Sequence, residues 1–124
     1  MATIMVVEDN PTNMKLVHMV LTRGGYEVRE ATGAEEAIVS VRADPPDLVL
    51  MDVQLPGMDG FEAMALLKAD PSTAAIPVVA LTAFAMHGDE EKILRAGFDA
   101  YLAKPIRYHE LLALVERVLS GVAS

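Results

Sequence analysis

Five short runs rich in β-branched residues punctuate the chain, near 3–7 (TIMVV), 26–30 (YEVRE), 47–52 (DLVLMD), 76–81 (IPVVAL) and 98–102 (FDAYL), and longer segments of helical period separate and follow them. Strands that alternate with helices predict βαβ units, hence an α/β fold whose parallel sheet is covered on both faces. LVLM and VVAL are continuously apolar, as strands buried on two sides require, whereas YEVRE alternates and reads as an edge.

The polar positions between the runs carry start and stop signals. Asn10-Pro11 offers an N-cap followed by proline at the first helical position, and Gly24-Gly25 closes that segment. Thr32-x-x-Glu35 and Asp59-x-x-Glu62 both have capping-box spacing. Tyr108, Leu111, Leu112, Val115, Val118, Leu119 and Val122 trace the buried stripe of a last helix. Segment 86–96, where Gly88, Asp89, Glu90, Glu91 and Lys92 leave only Ile93 and Leu94 as strong packing residues, predicts a marginal helix. Pro45-Pro46 and Pro71-Ser72 mark short turns, and with no repeat, low-complexity tract or linker the expectation is one domain over 1–124.

The chain has 124 residues, enough to bury roughly two thirds of the surface that its unfolded form exposes. Charge interrupts every apolar run well short of the roughly 20 residues a membrane span needs, so no membrane insertion is expected. Met1-Ala2-Thr3 leads straight into the first run with no basic segment or cleavage site, and the expected location is the cytoplasm. Cysteine is absent, which excludes thiol chemistry. A formal charge of −8 argues against direct nucleic-acid binding, which needs Lys and Arg to neutralise phosphates, and favours metal ions or basic protein surfaces, although acidity also serves plain solubility.

Chemistry enters where the runs stop: Glu8-Asp9 after the first, Asp52 after the third, Thr82 after the fourth, Lys104 after the fifth. α/β folds bind ligands at the carboxyl ends of their strands. Each residue has a bland explanation alone: acids cap a helix start, a hydroxyl bonds local backbone, a lysine stays solvated before a turn. Together on one sheet edge they resist that explanation. Three neighbouring carboxylates repel one another unless a hard cation such as Mg²⁺ joins them, leaving positions for phosphate oxygens. Lys104 supplies a point charge for a carboxylate or phosphate, and Pro105 could fix a cis peptide that aims it. The eight methionines read as an initiator and flexible filler, His18, His87 and His109 as surface or packing residues, and Gly57 and Gly60 as residues of the turn after Asp52.

The pair Glu8-Asp9, Asp52 in LMDVQLPGMDG, Thr82-Ala83 in ALTAFA, Tyr101 and Lys104-Pro105 resemble, in order and spacing, the receiver domains of bacterial two-component response regulators, over essentially the whole chain. NPTNMKL and IPVVALTAFAMHGDEEK look like DivK-type single-domain regulators, and also like receivers fused to hybrid histidine kinases. The resemblance implies a flavodoxin-like fold with five parallel strands in order 2-1-3-4-5 and five helices. It implies phosphorylation of Asp52 by a histidine kinase or histidine phosphotransferase, with Lys104 and Thr82 assisting. Mg²⁺, for which Mn²⁺ could substitute, would be held by Asp9, Asp52 and the backbone carbonyl of Gln54, with Glu8 acting largely through water. Ala83 would leave the phosphoryl group accessible. Thr82 and Tyr101 would form the switch, and the fourth helix, fifth strand and fifth helix would meet a downstream protein, in cell-cycle or developmental control. Gln54 and Phe84 occupy positions that tune phosphoryl lifetime in that family. The expected protein is a monomeric switch that assists its own phosphoryl transfer and hydrolysis. A small aspartate-nucleophile phosphatase of the haloacid-dehalogenase type would need a second acid two residues after Asp52, where Gln54 stands.

Overall fold

The computed structural model describes residues 2–55, 57–82 and 89–121. In chain order its elements are β1 (Thr3–Val7), α1 (Pro11–Arg23), β2 (Glu27–Ala31), α2 (Ala34–Ala43), β3 (Leu48–Asp52), α3 (Gly60–Ala69), β4 (Val78–Thr82), α4 (Asp89–Arg95), β5 (Ala100–Ala103) and α5 (Tyr108–Leu119). The strands are parallel and ordered β2-β1-β3-β4-β5, so YEVRE does supply an edge. Every residue of β3 and β4 is buried, as their unbroken apolar runs require. Four of the five strands begin one to two residues later than their sequence signals.

Alternation along the strands divides the core in two. Ile4, Val6, Leu48, Leu50, Val79, Leu81 and Leu102 pack with α1 and α5. Met5, Val7, Val49, Met51, Val78 and Ala80 pack with α2, α3 and α4. This period of two decides which strand-end side chains can meet.

Local signals mostly hold. The Asn10 side chain accepts from Thr12 and Asn13 N–H at 2.9 and 3.1 Å, Pro11 opens α1, and Gly24 caps it. Asp59 caps α3 by accepting from Glu62 N–H at 2.9 Å. The Thr32–Glu35 capping box does not form. Gly33 is the N-cap of α2, and Thr32 instead gives its backbone N–H and its hydroxyl to Glu36, each at 3.2 Å. The helix starts one residue later than the spacing implies, which brings the next acid into reach.

Two packing expectations also change. In α4, Ile93 is buried but Leu94 is exposed, because adjacent helical residues point about 100° apart and so short a helix turns only one line inward. In α5 the buried line is Leu111, Leu114 and Val115, while Tyr108 is exposed and stands edge-on to His109 at 4.8 Å. The stripe is rotated towards Leu114, with Leu112, Val118 and Leu119 at its margin. Ala83, Phe84, His87, Val122 and the 86–88 start of the fourth helical segment lie outside the described residues.

Candidate functional site

The alternation that sends Ile4 and Val6, Leu48 and Leu50, and Leu102 to the α1/α5 face continues to Glu8, Asp52 and Lys104. These three ends converge. Lys104 Nζ lies 2.8 Å from Glu8 Oε1 and 2.7 Å from Asp52 Oδ2. Its backbone N–H donates to the Thr82 carbonyl at 2.7 Å, which extends the β4–β5 ladder one step, and the Lys104–Pro105 bond is cis. The other Asp52 oxygen accepts the Gln54 N–H at 2.8 Å, so the carboxylate is aimed from both sides. Glu8 Oε2 accepts from Asn10 N–H at 3.3 Å. Asp9, one position on, faces solvent.

Glu8 and Asp52 are only 1% and 4% exposed, a depth at which an ionised carboxylate needs compensation. Burial, and then the Asp52 carboxylate beside it, raise the Glu8 pKa above the ordinary value, with Lys104 opposing. Burial pulls Lys104 down, but its hydrogen bonds to Asp52 and Glu8 outweigh it and the pKa ends above the ordinary lysine value. Glu8 Oε1 has the ion pair with Lys104 but receives no aligned hydrogen bond. Glu8, Asp9 and Asp52 each offer a carboxylate oxygen within 4.8 Å of the others. Three carboxylates against one ammonium leave two formal negative charges, and an all-oxygen donor set of this kind suits a hard divalent cation.

Thr82 belongs to the other face. Its strand sends Val78 and Ala80 towards α2, α3 and α4, and Tyr101, paired with Ala80 in register, packs half-buried against the same cluster. A cavity of about 310 Å³ opens there, lined by Gln54, Asp59, Phe61, Thr82, Lys92 and Ile93 among others. Lys92 Nζ sits 4.9 Å above the Phe61 ring, which meets Phe98 edge-on at 5.9 Å.

Glu8, Asp9, Asp52 and Lys104 thus form one cluster, and Thr82 is tied to it through the main chain. Sequence reading missed three things: Glu8 rather than Asp9 is the buried acid, Lys104 serves two carboxylates, and the Gln54 and Asn10 N–H groups hold them. The first was available from the spacing Ile4, Val6, Glu8, since every second residue shares a face.

Comparison with known proteins gives concordant results. The family model described as the response regulator receiver domain matches residues 4–116. The chain is 43% identical over 117 residues to the polar-differentiation response regulator DivK of Brucella ovis, covering 94% of this chain and 95% of that protein. It superposes with a TM-score of 0.92 on a putative response regulator from Chloroflexus aurantiacus, at 34% identity and covering 96% and 98% of the two chains. With a TM-score of 0.90 and 36% identity, over 96% and 98%, it also matches the receiver domain of a sensor histidine kinase of Pseudomonas aeruginosa PAO1, whose structure has a magnesium ion coordinated in the active site cleft.

Proposed function

The chain belongs to the response regulator receiver family of two-component signalling, and on that premise we propose that it is a single receiver domain that takes a phosphoryl group on Asp52 from a phosphohistidine of a kinase or phosphotransferase. The observation that carries this reading is the buried Asp52 carboxylate, fixed by Gln54 N–H on one oxygen and Lys104 on the other, beside two further acids. An Asp52 oxygen attacks phosphorus, the P–N bond breaks, and the imidazole leaves with the electron pair and takes a proton from solvent. Lys104 offsets part of the acids' charge before transfer and is placed to pair with a phosphoryl oxygen after it. Asp9, Asp52 and the Gln54 carbonyl would hold Mg²⁺, with Glu8 reaching it through water, and the ion would supply positive charge to the transferring oxygens.

The switch follows from the two faces. New charge at Asp52 draws Thr82 towards it, and Tyr101, half-buried against the cluster on the Thr82 face, turns inward in response. α4, with Ile93 as its buried anchor, moves at little cost, so that α4, β5 and α5 present the surface read by a downstream protein. The protein acts as a monomer in the cytoplasm.

Incubation with Mg²⁺ and phosphoramidate should add the mass of one phosphoryl group in an acid-stable, base-labile form, and chelation should prevent it. An unmodified protein after prolonged incubation sinks the proposal. Steady phosphate release from unrelated monoesters would move the reading to a phosphatase.

Asp9→Ala should weaken Mg²⁺ binding by at least about tenfold, the lower end of the loss when groups supporting a metal site are removed. Fluorescence or calorimetric titration checks this, and unchanged affinity removes Asp9 from the ligand set.

A further inference from the structure

Gly57 and Gly60 both sit in the connection after Asp52, but their situations differ. Gly57 has φ +76° and open space around it, so it answers a conformational need of the turn. Gly60 has no positive φ. A Cβ there would stand 2.7 Å from Val53 Cα, 2.8 Å from the Asp52 carbonyl oxygen and 3.4 Å from the Asp52 carbonyl carbon. All three are backbone atoms, so no rotamer change relieves the clash.

The first turn of α3 is therefore seated directly on the end of β3. Gly60 N–H donates to the Val53 carbonyl at 3.2 Å, and Asp59 caps the same turn through Glu62 N–H. Immediately before this contact, Gln54 N–H holds Asp52 Oδ1 at 2.8 Å. Seat and carboxylate share residues 52–54.

We infer that Gly60 is a positioning residue for Asp52: the missing side chain lets α3 close on the strand end and hold the carboxylate where Lys104, Gln54 and Asp9 meet it. The inference rests on the proposed phosphoacceptor role of Asp52. Adding a methyl group at position 60 must lift the first turn of α3 off β3 or push back the main chain at Asp52 and Val53, and either movement disturbs the carboxylate.

The test compares Gly60→Ala with Gly24→Ala. At Gly24 a Cβ would also meet an atom at 2.7 Å, but that atom is the flexible end of Leu112, near the opposite edge of the sheet. Phosphorylation by phosphoramidate at saturating Mg²⁺ should slow at least about tenfold in Gly60→Ala, since an ångström of misplacement can cost on the order of a hundredfold. Its Mg²⁺ affinity should fall and its Gln54 amide resonance should shift. Gly24→Ala should keep a rate within about twofold of wild type, because positioning and not general stability is at issue. A folded Gly60→Ala with wild-type rate and Mg²⁺ affinity overturns the inference, as does an equal slowing in Gly24→Ala. If Gly60→Ala does not fold, Asp59→Ala decides, because it loosens the same turn without adding volume. A slower rate with a shifted Gln54 amide supports the seat, and a wild-type rate overturns it. A wild-type protein that accepts no phosphoryl group is a separate result, the failure of the receiver reading itself.

Discussion

Asp52→Asn is expected to take up no phosphoryl group under conditions in which the wild-type protein gains one. Asparagine keeps the size of the side chain, and its carbonyl can still accept the Gln54 N–H now held by Asp52 Oδ1 at 2.8 Å. What it lacks is the anionic oxygen that attacks phosphorus, and no other carboxylate of the cluster is aimed in the same way. Glu8 is buried and engaged with Lys104, and Asp9 is exposed at the lip. The substitution removes one of the charges that raise the Glu8 pKa but also one of the two acids that hold Lys104, which keeps Glu8 as its partner, so metal-free stability should stay near the wild-type value. Intact-mass measurement reads uptake, and urea denaturation in chelator reads stability. Equal phosphorylation of Asp52→Asn and wild type would move the acceptor elsewhere.

The contrast between what could and could not be read from the sequence lies in the range of the interactions. Strands and their order of burial were legible because LVLM and VVAL carry their environment in their composition, and Asn10-Pro11 carries its own cap. Strand-end chemistry was legible because polar residues closing apolar runs fall on one sheet edge. The Thr32 box was misread because a cap depends on which of two adjacent residues leaves the helix, and Gly33 does. Leu94 was counted as a packing residue, and Leu114 left out of the last helix's stripe, because a stripe on a helix fixes its phase only when the neighbouring elements are in place. The seat at Gly60 was hidden because a glycine that makes room looks, in sequence, like one that makes a turn. The double pairing of Lys104 joins residues far apart in the chain, and only the alternation along three strands, followed past their ends, would have shown that they share a face.

That pairing sets the second large effect, expected for Lys104→Met. Methionine keeps most of the volume of lysine but removes the only cation within the described cluster, leaving two buried carboxylates side by side. Removing one partner of a buried ion pair typically costs about 3–5 kcal/mol, and a loss near about 3 kcal/mol is expected in chelator at neutral pH because a proton can partly replace the ammonium. The pH dependence follows from the shifts. Burial, then Asp52, already hold the Glu8 pKa above 4.5, and loss of Lys104, which lowers it, must raise it further. An acid raised on folding binds its proton more tightly in the folded state. Its stabilising contribution is complete below the unfolded value and is lost as pH rises through the folded one. The deficit of Lys104→Met should therefore be largest at neutral pH and shrink on acidification towards 4.5. In the wild type, the raised Lys104 contributes stability throughout the range below 10.5 and loses it only as pH rises through the higher folded value, so the acid-range trend belongs to the carboxylates. Urea midpoints in chelator, at neutral and mildly acidic pH, read this directly. A deficit that is absent, or that grows on acidification, would mean that Lys104 does not hold the two acids together. Saturating Mg²⁺ should restore part of the stability by supplying the missing positive charge. It should not restore phosphorylation, since the ammonium is then absent from the transferring oxygens, where a fixed charge counts most.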